Sequence, residues 1–578
     1  MTRLLKYVSK YKGLLFFGTF SMISVIGIDL LSPYLQQLFI DNGIGEGNYG
    51  LIKNILIGLL IITLLKSVLG YGKEYLYDLL SVEVHEDIKK DLFNHIQKLE
   101  FKYFDDMNTG ELMSRIGEDV ENIWQTLGFG LRLFIENIIY FVVSTIILFI
   151  LNAKLALACF VIMIPIGFIG VKLEKKFGKS YGELSDQTAK ITTTAQENIA
   201  GVRLVKAFSR EKHEISKFLK MNRKFYDLSM VQGKLIGDYF PPIEFLTNIS
   251  LVIMIVFGGY LVMNENITIG VLVAFSGYIW NLIWPMRMLG ELLDLLSRNT
   301  ASAKKIFEIM DKEPEVLNQE ATYESTEVKG KIRFNNVSFK YKDEYVLKNI
   351  NLDIKAGSTV AIMGTTGSGK STLINLIGKY YDATDGSIEI DDVNINDYNL
   401  KFLRENMSIV PQDTFLFSDS ILNNIKFSND NASLEEVREA ARLACALEFI
   451  NELEEGLNTE IGERGMGLSG GQKQRLSITR ALVRKSKILI LDDSTSALDM
   501  ETEYSLLKNL SERESTSTTF IIAHRISAVK NADLILYLEE GEIKEAGTHE
   551  ELLALKGKYY DIYCNQFKDF NLLEEEVI

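Results

Sequence analysis

The clearest chemistry in the chain lies in one loop. Gly364-Thr365-Thr366-Gly367-Ser368-Gly369-Lys370-Ser371-Thr372 follows a short apolar run, TVAIM, and opens a helical stretch. Glycines at this spacing let backbone N–H groups curl around an anion. A lysine in the place of Lys370 reaches β- and γ-phosphates, and the hydroxyl of Ser371 can hold Mg²⁺. Such a loop needs a carboxylate on a second strand for the metal. Lys487-Ile488-Leu489-Ile490-Leu491-Asp492-Asp493 supplies one. Four apolar residues predict a buried strand with Asp492 at its end, and Asp493 stands one step further, where a water-activating carboxylate would be placed. A third element, Leu468-Ser469-Gly470-Gly471-Gln472, precedes KQRLSITRAL. Small residues and free N–H groups at a helix start form a second anion site.

These motifs require an α/β body, and the pattern from KIRFNNVSFKY onward predicts it over residues 331–578. The segment 312–330, KEPEVLNQEATYESTEVKG in the main, reads as a linker. Residues 1–311 are different. Six apolar stretches, near 14–40, 51–78, 127–151, 154–175, 243–263 and 268–290, are each long enough to cross ~30 Å of hydrocarbon as a helix. The connections near 80–125 and 172–238 are basic and lack proline, whereas DNGIGEGNYG, the Asn152–Lys154 turn and NENIT carry Lys154 as their only basic residue. By the positive-inside tendency both termini and the two long connections are cytoplasmic. Connections of that length are expected to be helical hairpins rather than loose loops.

Composition excludes several classes. The net charge is −15, and from residue 328 onward 29 Lys/Arg face 41 Asp/Glu, which argues against a nucleic-acid binder held by a basic face. Cys159, Cys445 and Cys564 are widely spaced, so neither a disulfide framework nor a zinc site is expected.

Phosphate loop, Asp492 strand and LSGGQ together resemble the ATP-binding cassette family, and the resemblance covers the whole chain: a half-size ABC exporter, with an α-helical transmembrane domain fused to an α/β P-loop ATPase domain. It implies ATP and Mg²⁺ as ligands, with Ser371, Gln412 and Asp492 on the metal. It assigns Tyr341 to the adenine-stacking position, Gln412 to the Q-loop, His524 to the γ-phosphate and Ser496–Asp499 to the D-loop. Leu468–Gln472 would close over a partner's ATP. TEIGERG (459–465) would sense the hairpins, and segments 101–123 and 195–214 resemble the docking elements. Asp493, His524 and Gln412 would form the catalytic group. At Asp493 the family normally has Glu. Aspartate is one methylene shorter, so its oxygens are displaced by roughly 1 Å, which can cost ~10²-fold where geometry sets the rate. The resemblance therefore points to the degenerate-site subunit of a heterodimer in a bacterial plasma membrane, exporting amphipathic drugs or lipid-like compounds. A homodimeric lipid or peptide exporter, or an ATP-gated regulatory protein, are the alternatives. Within the spans, Asp29 and Glu136 suggest a cation-attracting cavity, Lys66 and Arg132 could reach toward an interface, pairing between spans is the alternative for these charges, and Arg287, Glu291 and Asp294 lie toward the inner end of the sixth. Tyr71, Tyr75, Tyr140, Trp280 and Trp284 could line an apolar pocket.

Overall fold

The computed structural model describes residues 2–313, 323, 328–512 and 517–575. Most of the expected linker lies outside them. The chain divides into two compact units, Met1–Leu99 with Met107–Glu313, and Glu100–Asp106 with Pro314–Ile578.

The first unit is helical. Among the described residues, four helices are long and apolar enough to cross a membrane: Arg3–Ile44, Tyr49–Ile96, Thr109–Ala200 and Glu211–Met263, with a shorter apolar stretch at Ile269–Pro285. The third contains two of the six expected crossings. They are separated at Asn152, whose backbone leaves the helical region (φ −162°, ψ 107°). The Asn152 side chain accepts from the Leu155 N–H at 2.9 Å and so starts the next helix. The Tyr49–Ile96 helix has 48 residues. At ~1.5 Å per residue it is about 72 Å long, more than twice the hydrocarbon thickness. Its excess is the first hairpin arm, where Val84, Ile88 and Leu92 form one fully buried stripe and the helix packs against the Val120–Gln125 helix, whose Val120 and Ile123 are buried too. A second hairpin arm ends at Ala200, turns through Val202–Ala207 and returns from Glu211. Both long connections are thus helical, as their composition requires.

Among the described residues, Asp29, Lys66, Lys73, Glu74, Arg132 and Glu136 are paired, which favours pairing between spans over a cation-attracting cavity at Asp29 and Glu136. Asp29 accepts from Lys66 and, at 3.1 Å, from the Tyr140 hydroxyl. Lys73, buried, meets Glu136 at 3.0 Å and Glu74 at 3.4 Å, and Arg132 binds Glu74 in turn. An unpaired charge in a low-dielectric layer costs several kcal/mol, so neutralising partners win. Tyr71, Tyr75, Trp280 and Trp284 are exposed. The side chains of Arg287, Glu291 and Asp294 lie outside the described residues.

The second unit holds two sheets. Ten strands run in order: β1 (Ile332–Lys340), β2 (Tyr345–Ile354), β3 (Thr359–Gly364), β4 (Asp385–Ile390), β5 (Val393–Asn394), β6 (Met407–Val410), β7 (Ile488–Asp492), β8 (Thr518–Ile522), β9 (Leu534–Glu539) and β10 (Glu542–Gly547). One sheet is antiparallel, ordered β2-β1-β4-β5; the other is ordered β10-β9-β3-β8-β7-β6. In the latter, β3 pairs in parallel with β8 and β9, and β7 with β6 and β8. Strands covered on both faces read as unbroken apolar runs, and Val360–Met363 and Ile488–Leu491 are buried throughout. The parallel arrangement brings the C-terminal ends of β3, β7 and β8 to one edge, where the Gly364 loop, Asp492 and the His524 loop follow.

Helix Phe101–Asp106, from the middle of the first hairpin, belongs to this second unit. The Phe101 ring lies 4.4 Å from Tyr380. The Tyr381 hydroxyl donates to Asp105 at 2.6 Å, and Lys342 meets Asp106 at 2.9 Å.

Candidate nucleotide site

At that edge a cavity of about 280 Å³ is lined by Thr366, Gly367, Gly369, Lys370, Ser371, Thr372, Gln412, Asp492, Asp493 and His524, with Val346 and Ile522. The loop needs its glycines. Gly364 has φ +148°, and a Cβ there would stand 2.1 Å from the Leu538 carbonyl oxygen. Gly369 has φ +99° and starts helix Lys370–Ile377. The Lys370 ammonium is buried and donates to the Gly364 and Thr365 carbonyls at 3.0 and 2.8 Å. Burial pulls its pKa down against the attraction of Asp492 and Asp493. Burial pushes the Asp492 carboxyl up, opposed by a hydrogen bond from Ser371. Ser368 Oγ is buried without a protein partner. A buried cation, an orphaned hydroxyl and a carboxylate held by a hydroxyl form a donor set that fits phosphate and Mg²⁺.

Asp493 ends the strand by turning into the left-handed region, φ 45°. Its N–H donates to the Ile522 carbonyl at 3.0 Å. Tyr341 does not line the cavity: its hydroxyl is 3.3 Å from Thr372 Oγ1 and its ring packs edge-on against Phe339 and Tyr381. Leu468–Gln472 do not line it either. Ser469 caps helix Gly470–Leu482 in a reciprocal box with Gln472, at 3.3 and 2.8 Å.

Sequence reasoning missed the ties among these loops. Gln474 holds the D-loop, accepting from the Ala497 N–H at 3.0 Å and donating to Ser496 Oγ at 3.3 Å. Ser496 Oγ donates to the Asp493 carbonyl at 2.9 Å. Asp499 caps helix Met500–Ser511 through Thr502. Arg525, beside His524, faces the buried Glu503 at 3.6 Å. Of these, only Asp499 carried a signal: a helix-capping residue type before an acidic first turn.

Comparison with known proteins follows the same division. Residues 15–286 match the ABC transporter transmembrane region, and residues 347–496 match the ABC transporter family. An uncharacterized ABC transporter ATP-binding protein of Bacillus subtilis is 36% identical over 99% of this chain and 98% of its own length. The chain belongs to the ABC transporter family. It is a half-size exporter by organisation, one membrane region fused to one ATP-hydrolysing cassette, and an integral membrane protein. An ATP-dependent lipid A-core flippase of Syntrophus aciditrophicus is 36% identical, covering 94% of this chain and 90% of that protein. A putative multidrug export ATP-binding/permease protein of Staphylococcus aureus is also 36% identical, covering 98% and 99%. A solved bacterial Atm1-family ABC exporter with ATP bound superposes with a TM-score of 0.84 at 26% identity, over 96% of this chain and 99% of that one.

Proposed function

We propose that this exporter moves amphipathic, lipid-like or drug-like molecules out of a bacterial cytoplasm, with six crossings, cytoplasmic termini and a second subunit completing each ATP site. The carrying observation is a division of labour within one ATPase unit. Lys370, Ser371 and Asp492 share a cavity with Gln412, Asp493 and His524, while the capped helix start at Ser469 lies outside it. A second chain's signature would then close over this cavity, and this signature over the partner's. Thr366–Thr372, with the Lys370 charge, would hold the phosphates, and Ser371, Asp492 and Gln412 would hold Mg²⁺. The metal would supply charge neutralisation between β- and γ-oxygens. Tyr341 would stack on adenine after its ring swings from Thr372. Asp493, one methylene short of Glu, would orient water poorly. This favours a heterodimer in which this chain carries the weaker site.

A second subunit is also supported by the tip of the second hairpin. Ile199, Val202, Leu204 and Phe208 are 47–75% exposed around a short turn outside the apolar spans, a patch that a partner cassette would cover. The charges Lys66 with Asp29, and Lys73 and Arg132 with Glu74 and Glu136, neutralise one another, and the names of two relatives include lipid and multidrug transport. The test is uptake of a fluorescent amphiphile into inside-out vesicles bearing the transporter. ATP added outside should drive accumulation against a gradient and be hydrolysed faster with substrate present. Accumulation only with ATP sealed inside would reverse the topology. Substrate-independent ATP binding without uptake would favour a gated regulatory protein.

A further inference from the structure

The His524 loop is held from behind by the last helix of the chain. Gln566, on helix Lys558–Glu575, donates through Nε2 to the His524 carbonyl at 2.7 Å and accepts through Oε1 from the Ile526 N–H at 2.8 Å. These two partners fix the orientation of the amide, because a carbonyl can only accept and a backbone N–H can only donate. A primary amide is a suitable neutral group here. It serves both sides of one residue, Arg525, and so spans the backbone that carries His524.

The platform behind it is firm. Glu545 accepts from the N–H groups of Lys558 and Tyr559, at 2.5 and 3.1 Å, at the start of that helix. Tyr559 is fully buried, and its hydroxyl lies 2.7 Å from His549 Nδ1. Ile562, Tyr563 and Phe567 pack on the main core. On the opposite side the loop is tied to helix Met500–Ser511, where Glu503 faces Arg525 and accepts from Ser527 at 3.3 Å. The His524 segment is therefore slung between two helices, and Gln566 supplies the backbone hydrogen bonds of the sling.

We infer that Gln566 is a positioning residue for His524. By fixing the loop backbone it sets where the imidazole stands and thereby how strongly this site distinguishes ATP from ADP. The inference rests on the proposal that His524 contacts the γ-phosphate. It does not require this site to hydrolyse quickly, since discrimination is a property of binding.

The test uses the assembled transporter and 8-azido-ATP photolabelling resolved by chain, with ATP and ADP as competitors. His524→Ala sets the scale by lowering the preference for ATP over ADP at this chain. Gln566→Met keeps length and removes both hydrogen bonds, and should lower the preference by about fivefold, the size of a net hydrogen bond. Gln566→Glu, which keeps only the acceptor for Ile526, should do the same. Adding Gln566→Met to His524→Ala should change the preference no further, because the residue acts through the imidazole. Equal weakening of ATP and ADP by both variants would mark Gln566 as a plain helix anchor and overturn the inference. So would an unaltered preference in both while His524→Ala loses it. An unaltered preference in His524→Ala itself would instead remove the γ-phosphate reading, and the inference with it.

Discussion

Burial of the Asp492 carboxyl has a cost that the stability of the protein should show. The carboxyl's pKa is raised above the ordinary range chiefly by burial. A folded pKa above the unfolded value means that protonation favours the fold. The contribution is complete below the unfolded value of about 3.9 and is lost as pH rises through the folded pKa. Above the folded pKa, the buried charge of Asp492 costs stability that an uncharged side chain would not. Asp492→Asn should raise the thermal midpoint at pH 7 by the equivalent of about 0.5–2 kcal/mol, while abolishing Mg²⁺-dependent nucleotide binding. The gain should shrink as the pH approaches 4. A lower midpoint at pH 7 would refute the argument. The residues around Asp492 were legible in the sequence because each has a type and a spacing that phosphate chemistry demands. Gln474 and Gln566 were not, because a glutamine that clasps a distant backbone has no spacing to betray it. Pairing between spans was one of two readings for Asp29 and Glu136, and the structure selects it; which partner each takes could not be read, because charge within an apolar run is visible but its partner on another helix is not.

Among elements, the hairpins were legible because long basic connections with helix-forming composition leave few alternatives. The break at Asn152 was expected from its position between two apolar runs. Membership of Phe101–Asp106 in the ATPase unit could not be read from the chain order, because it is settled by contacts more than 200 residues apart in sequence. Those contacts make a prediction. The Phe101–Tyr380 ring pair contributes on the order of 1 kcal/mol, and the Tyr381–Asp105 hydrogen bond a similar amount. Phe101 is about half exposed and fills no core void. Phe101→Ala combined with Tyr381→Phe should thus leave basal ATPase within about twofold but remove most of its stimulation by transported substrate. Steady-state ATPase in proteoliposomes, with and without substrate, measures both. Stimulation that survives intact would show that this helix is a passive attachment.

At the scale of the whole molecule, the tie from Gln474 through Ser496 to Asp493 links this chain's signature helix to its own Walker strand. If the signature serves a partner's nucleotide, as proposed, the two ATP sites would share a mechanical connection within one polypeptide. The sites need not be equal. Asp493 offers a carboxylate drawn back by one methylene, whereas Ser469 and Gln472 are intact and capped. If this chain's Walker site is the weaker, Asp493→Asn removes a poorly placed carboxylate and should lower turnover by no more than about fivefold. The matching Glu→Gln change in the partner should cost at least ~10²-fold. Ser469→Ala in this chain should be nearly as severe, because its signature orients the γ-phosphate at the competent site. The diagnostic pattern is crossed: a mild Walker B variant and a severe signature variant in the same chain. Steady-state ATPase of the purified complex reads each variant in turn. Should Asp493→Asn stop hydrolysis as completely as the partner's substitution, or should this chain alone form a fully active homodimer, Asp493 would be a working base and the asymmetry would vanish. If the crossed pattern holds, ATP at the weak site stays bound through several turnovers. It then acts as a regulatory ligand, keeping the cassettes partly joined while the partner's site turns over.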